Sequence, residues 1–539
     1  MIHQPPSKNN PGGGVIVYNY EDFTGLLLGY ASANYPKLGK GSSWQKSINS
    51  FRDLGILEPG FIPVNIGTTT SNISAQLNGA VVDRTGAQPN VWMIEKGTKI
   101  HQIPGSGGAI GAVIRVTAPF DPNGYVIPAE GTHASSNHTA PVGEDIIIYN
   151  ISGTDYVFYS YNDSSDGDIG RVGLVPTATT DFDDDWFSTQ ISSEVLSKVP
   201  HQMIIGDDRY LYIADGQELQ YIAPDGTCSK KTTIVPNNFT IKSMTKTGTH
   251  LVLFCDRLSG STDNFAKGEI VALFWNYSST RADYVFQIED NEVSCGFIHE
   301  GVVGCFTSGK PSEFGNIGYR NKMQLFNGKG FTKMFGFPDS APRYNAWDIH
   351  NGLFVWYSQG DIYAYGTILP NTEKGFNHIG LTAGAGTAGI CKSINGTDIW
   401  ISSGTGASAG GLEGYGNTSN TYDSNAQWKG QLAEPLFPMG YKGQIEMVEV
   451  GFYGSFTGGL KLDLSLDTDY GTSTTIIDDL TVVVSGKQIV YKKLTSAGVS
   501  LPSFNVVKPY FQWSAGVSAT ASPKVSYLKI YYSLIPIVI

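Results

Sequence analysis

Short runs of apolar residues alternate with polar positions and tight-turn residues along most of the chain. The pattern is clearest from Trp347 to Gly366, WDIHNGLFVWYSQGDIYAYG, where the run NGLFVWYS and the alternating IYAYG flank the turn QGD. A period of two marks half-buried strands. Looser copies begin near Val91 (VWMIEKGTKIHQI), Asp145 (DIIIYNISGTDYVFYSYN), Met203 (MIIGDDRYLYIADGQELQYIAPDG), Thr249 (THLVLFCDRL), Val293 (VSCGFIHEGVVGCFTSG) and Ile390 (ICKSINGTDIWISSG). One copy cannot bury both of its own faces, so neighbouring copies must cover each other. The spacing, roughly 45–55 residues, is that of four-stranded propeller blades. A long β-solenoid would need shorter and stricter repeats. Each copy carries a Gly or Asp-Gly turn between its strands, which suits two-residue hairpins at positive φ.

The fold class expected is therefore all-β: a degenerate β-propeller of about seven blades over residues 61–420, followed by a C-terminal β-sandwich over 421–539. Between them, residues 404–430 (GTGASAGGLEGYGNTSNTYDSNAQWKG) read as a Gly/Ser/Asn linker. In the last part Leu460, Leu462, Leu464 and Leu466 alternate with Lys461, Asp463 and Ser465, and further short strands follow at LTVVV, QIVYKKL, KPYFQWSAG and VSYLKIYYSL. Residues 1–60 repeat nothing. They read as an N-terminal arm or leader, or as a strand that closes the propeller ring, with one or two helical turns in SSWQKSINSFRDLGIL before Pro59-Gly60.

Composition narrows the function classes. The 539 residues hold 36 Lys+Arg against 48 Asp+Glu, a formal charge of −12, with no basic block to grip nucleic acid or an anionic membrane. Residues 1–14, MIHQPPSKNNPGGG, lack the basic and apolar regions of a secretion signal, and no run is long enough for a membrane anchor. The five cysteines include no CxxC pair. Cys295 and Cys305 either face each other across a hairpin or are buried free thiols, as suits a reducing cytoplasm.

Several loops resemble chemistry without completing it. Asp163-Ser-Ser-Asp166-Gly-Asp168 offers oxygen ligands for Ca²⁺ but lacks the spacing of an EF-hand, so it reads as a solvated hairpin tip. Asp181-Phe-Asp183-Asp184-Asp185 with Trp186 and Phe187 reads as an acidic loop anchored by aromatics, or as a sugar platform. Ser465-Leu-Asp467-Thr-Asp469-Tyr-Gly471 matches an Asp-box hairpin only in part and reads as a turn whose Asp side chains bond the following N–H groups. His133 and His138 lack a third ligand at zinc spacing. No GxSxG, HExxH or Walker loop occurs. No catalytic, cofactor-binding or metal residue is nominated, no cofactor is implied, and the chain reads as a protein that is not an enzyme.

The layout of leader, degenerate blades, linker and terminal sandwich is similar to that of bacteriophage virion propellers. These are the tail nozzle, hub or DNA-stabilisation proteins of short-tailed phages, below the portal and adaptor rings. The residues carrying the resemblance are Pro435 to Phe437, the LxLxLxxDxxxG segment from Leu462 to Gly471, and the aromatic final strand KVSYLKIYYSLIPI. The resemblance implies a homo-oligomer with six-fold packing around a channel past which packaged DNA would lie. It also implies tail adaptor, fibre or tip proteins as partners, no membrane anchor, and a place in the virion tail after assembly in the host cytoplasm. A glycan-binding or glycan-cleaving propeller in host-receptor recognition is the alternative, and a non-viral adhesin or scaffold a third.

Overall fold

A computed structural model of the protein describes residues 16–19, 43–48, 57, 59–60, 62, 64–65, 76–85, 90–96, 99–104, 125–126, 141–176, 181–191, 196–231, 234–257, 269–309, 321–337, 341–358, 360–367, 374–381, 389–394, 398–402, 412–416, 422–431, 441–453, 459–468, 473–480, 488–493, 507–516 and 522–536. It divides into two compact units. One comprises Val64–Gly360 and Thr382–Thr418, the other Met1–Pro63, Asp361–Leu381 and Ser419–Ile539.

Three short strands come first: β1 (Ile16–Asn19), β2 (Ser43–Ile48) and β3 (Val64–Asn65). Seven small antiparallel sheets then follow in chain order. Blade 1 holds β4 (Leu77–Asp83), β5 (Asn90–Glu95), β6 (Lys99–Pro104) and β7 (Tyr125–Val126). Blade 2 holds β8 (Val142–Ile151), β9 (Thr154–Asn162) and β10 (Gly167–Gly173). Blade 3 holds β11 (Met203–Ile205), β12 (Leu211–Asp215), β13 (Glu218–Ile222) and β14 (Cys228–Lys231). Blade 4 holds β15 (Phe239–Lys246), β16 (Leu251–Arg257), β17 (Ile270–Trp275) and β18 (Tyr284–Ile288). Blade 5 holds β19 (Glu292–His299), β20 (Val302–Ser308), β21 (Asn321–Phe326) and β22 (Phe331–Phe337). Blade 6 orders β23 (Trp347–His350), β24 (Leu353–Ser358), β25 (Asp361–Thr367) and β26 (Lys374–Leu381). Blade 7 holds β27 (Cys391–Ser393), β28 (Asp398–Ser402) and β29 (Leu412–Gly416), and takes its fourth strand from β3, with Glu413 opposite Asn65. The fold is a seven-bladed propeller with a β-sandwich.

The alternation along each strand decides which neighbour it covers. On β16, Leu251, Leu253 and Cys255 pack with Tyr212, Ala214 and Leu219 of blade 3. Their neighbours Val252 and Phe254 pack with Val293, Val303 and Cys305 of blade 5. The turn between β23 and β24 is Asn351-Gly352, at φ 51 and 80. Both central residues sit at positive φ, as a tight hairpin matched to strand twist requires.

The second unit has two antiparallel sheets. One has the order β1, then β36 (Lys524–Pro536), β31 (Tyr441–Tyr453) and β34 (Gln488–Lys493). The other runs β2, then β30 (Gln427–Gln431), β35 (Val507–Ser514), β32 (Lys461–Thr468) and β33 (Ser473–Leu480). On β32, Leu462, Leu464 and Leu466 are buried while their neighbours are half-buried, so the leucine alternation is a true sheet face.

Two expectations need correction here. The described strands of the leader do not close the propeller ring. β1 pairs with β36, Ile16 opposite Tyr532, and β2 pairs with β30, so both leader strands belong to the sandwich sheets. The helical turns expected in SSWQKSINSFRDLGIL give way to a strand over Ser43–Ile48, because pairing with a distant edge outweighs local helix preference. The Gly-rich stretch 404–430 is not all linker either. It supplies β29 to blade 7 and most of β30 to the sandwich, with Leu412, Tyr415, Tyr422 and Trp428 buried.

Candidate functional site

The two acidic motifs of blade 2 come together. The Asp163 carboxylate accepts hydrogen bonds from the backbone N–H groups of Ser165 (2.7 Å) and Asp166 (2.9 Å) and from the Ser165 hydroxyl (2.9 Å). That Oδ1 caps the turn. Asp168 points the other way, into the blade, and accepts from Ile169 N–H at 2.7 Å and Ser188 N–H at 3.3 Å. Burial pushes its carboxyl up to about 7, with the Asp185 charge adding to the effect. The Tyr161 hydroxyl donates to the Asp184 carbonyl (3.0 Å) and to Asp185 Oδ1 (3.3 Å). Asp183 forms a two-way backbone bridge with Arg171, whose guanidinium lies over the Tyr156 and Trp186 rings at 4.7 and 4.8 Å.

A single turn of helix, α1 (Trp186–Gln190), turns Trp186 and Phe187 inward onto Phe158, Ile169 and Leu211. Both rings are buried, so they form an anchor and leave no platform for a sugar. Tyr161→Phe removes one buried donor from two acceptors. It should cost about 1–2 kcal/mol, read as a lower denaturant midpoint at unchanged slope.

Asp467 departs from the turn expected of it. It lies in β32 and its carboxylate takes the Lys429 ammonium, while Asp469, Gly471, His133 and His138 lie outside the described residues. Among the described residues, one trio of carboxylates, Asp463, Asp478 and Asp479, brings its oxygens close enough together to share a cation. Lys461 already bonds Asp479 Oδ2 at 2.6 Å, and the Asp479 N–H bonds Asp463 Oδ1 at 2.7 Å. All five cysteines are free thiols, four of them buried, and burial pushes every one of them up.

The arrangement that the sequence did not announce is a polar girdle at the inner strands. Asn78 Nδ2 of blade 1 donates to the Gly143 carbonyl of blade 2 at 2.7 Å. Asp145 of blade 2 accepts from Met203 N–H of blade 3 at 2.7 Å. Gln202 both accepts from Met244 N–H (2.5 Å) and donates to Met244 C=O (3.1 Å) on blade 4. Ser243 Oγ accepts from Gly296 N–H of blade 5 at 2.8 Å. Asn345, just before blade 6, reaches the Asn78 carbonyl (2.9 Å) and Asp145 Oδ1 (3.0 Å). Ser402 Oγ of blade 7 accepts from Leu77 N–H at 3.2 Å.

β-Bulges in β4, β8, β15 and β19 re-aim the chain where these groups sit. Gly143 is required there, since a Cβ would lie 2.4 Å from the Glu95 carbonyl. Burial pushes Asp145 up to about 6 despite its three donors, and pushes Glu144 up against the opposing Arg343 charge. Glu144 and Arg343 stand 3.5 Å apart.

No protein family and no curated protein matches the chain by sequence. Solved structures similar to it include the Dos1 propeller, at 7% identity over 66% of this chain and 94% of that one, with a TM-score of 0.38. They also include the exo-β-1,3-galactanase of Phanerochaete chrysosporium with galactose bound, at 9% identity over 85% and 96%, TM-score 0.29. A glycoside hydrolase is similar at 11% identity over 85% and 98%, TM-score 0.27. The expectation that the chain is not an enzyme is thereby withdrawn, because glycoside hydrolases stand among the structures it resembles. Scores this low assign it no reaction and no substrate. Among the described residues, no helix is long and apolar enough to cross a membrane.

Proposed function

We propose that the chain is a structural protein of a bacteriophage virion, a nozzle or hub component of the tail. The observation that carries this reading is the girdle. Five consecutive joints between blades, from blade 7 round to blade 5, are supported by buried side chains bonded to a neighbour's backbone, which makes that part of the propeller a stiff body. Its work would then be geometric, with rigid faces offered to other copies and to adaptor, fibre or tip proteins of the tail. The resemblance of the Leu462–Gly471 segment and of the aromatic final strand supports the same reading.

The deciding measurement is the native mass of the purified chain at micromolar concentration, with a low-resolution image of the assembly. A closed ring of six copies that joins tail particles lacking this protein supports the proposal. A monomer that leaves such particles unchanged overturns it.

A further inference from the structure

Blade 6 begins with a detour. The connector from β18 to β19 passes from the outer strand of one blade to the inner strand of the next with three residues, Glu289–Asn291. Nine residues separate β22 from β23 for the same step. Three strand spacings come to about 14 Å, whereas nine residues can reach about 30 Å. The described end of this connector, residues 341–346, uses the surplus.

Its polar groups bond to blades 1, 2 and 7. Arg343 Nη1 donates to Asn78 Oδ1 at 2.8 Å, and Nη2 lies 3.5 Å from Glu144 Oε2. The Tyr344 hydroxyl donates to the Glu144 carbonyl at 3.3 Å. Asn345 Nδ2 donates to the Asn78 carbonyl and to Asp145 Oδ1, while the Asn345 carbonyl accepts from Cys391 N–H of β27 at 3.3 Å. Tyr344 and Ala346 are buried. The Ala346 N–H closes a turn onto the Arg343 carbonyl at 2.9 Å, and the Ala346 carbonyl accepts from Tyr357 N–H of β24 at 3.0 Å.

Contact between adjacent blades does not account for these bonds. Blade 6 packs against blade 5, where Phe354 stacks on Phe297 with centroids 4.2 Å apart. It packs against blade 7, where Ser393 N–H donates to Asp348 Oδ2 at 2.9 Å. Blades 6 and 2 stand three places apart, and no two blades in a ring of seven stand further apart. A segment rooted in blade 6 that touches Glu144 and Asp145 therefore crosses the ring axis. On the way it spans the seam where blade 7 meets blade 1, the last and first blades of the ring.

We propose that residues 342–346 form a latch across the propeller axis, filling one mouth of the central channel and holding blades 7, 1 and 2 together over the seam. The latch supplies donors to the Asn78 carbonyl and side-chain oxygen, the Glu144 carbonyl and an Asp145 oxygen, and sets a cation beside the Glu144 carboxylate. Without it these acceptors would need water or a ligand in the channel. For a tail component, a latched axis puts any conduit between copies and not through one. That corollary rests on the proposed function, whereas the latch does not.

Amide exchange in the whole chain tests the latch. Leu77 N–H, bonded to Ser402 Oγ at 3.2 Å, reports on the seam between blades 7 and 1. Gly296 N–H, bonded to Ser243 Oγ at 2.8 Å, reports on the joint of blades 4 and 5 across the ring. Arg343→Ala and Asn345→Ala should each speed exchange at Leu77 about tenfold, as befits the loss of one or two buried hydrogen bonds. Gly296 should stay within about twofold of the parent. Equal acceleration at both amides would show a general loss of stability, and none at Leu77 would show that the segment holds nothing across the seam; either result overturns the proposal. The unsubstituted chain gives a second reading that needs no variant to fold. At low denaturant, Leu77 and Cys391 should exchange through one opening, with the same denaturant dependence and apart from that of Gly296. Separate openings for Leu77 and Cys391 also overturn it. The native mass of the assembly does not depend on these amides, so the latch and the tail reading can each fail alone.

Discussion

Asp145→Ala should destabilise the propeller by roughly 3 kcal/mol at neutral pH. The carboxylate serves three donors at once: Met203 N–H, Ile146 N–H and the Asn345 amide, at 2.7, 2.8 and 3.0 Å. Alanine leaves all three in a site where Asp145 itself is only 4% exposed. Each orphaned donor costs about 1–3 kcal/mol, and release of the buried charge offsets part of the sum. The effect should be read as a lower denaturant midpoint together with faster amide exchange at Met203, one blade away. Unchanged exchange at Met203 would show that the bond between blades 2 and 3 contributes nothing.

Asp168→Asn should do the reverse at alkaline pH. The folded-state carboxyl titrates near 7 rather than at its ordinary 3.8, because burial disfavours the charge. A carboxyl raised in this way contributes stability that is complete below about pH 4 and is lost as pH rises through 7. Asp145, raised to about 6, acts with the same sign over a lower window. The asparagine carries no charge to bury and keeps an oxygen for Ile169 N–H. The variant should therefore exceed the parent at pH 8 by up to roughly 4 kcal/mol, and the two should converge near pH 4. Urea midpoints at pH 4, 6 and 8 measure this, and a constant difference across that range would refute it.

The propeller and the leucine face of β32 were legible because their signals are local. A period of two and an Asn-Gly turn need no knowledge of distant residues. The leader was opaque for the opposite reason, since the partner of Ile16 is Tyr532 and nothing near Ile16 names it. The acidic motifs showed where carboxylates are dense but not where their oxygens go. Asp163 spends one on a turn, while Asp168, five residues on, is buried in the blade. The girdle escaped notice because an Asn, an Asp, a Gln and a Ser perform one task by different bonds. A repeat in geometry leaves no repeat in letters.

The strand that completes blade 7 is β3, which is translated well before β29. Some 347 residues separate Asn65 from Leu412, and at ordinary elongation rates β3 waits roughly 20–70 s for its partner. β1 waits longer still for β36. Neither unit can close while the chain is being made, so every nascent chain carries open sheet edges until synthesis is nearly done. Crowding on a polysome would then favour pairing between neighbouring nascent chains, and slow expression at low temperature should raise the yield of closed monomeric units.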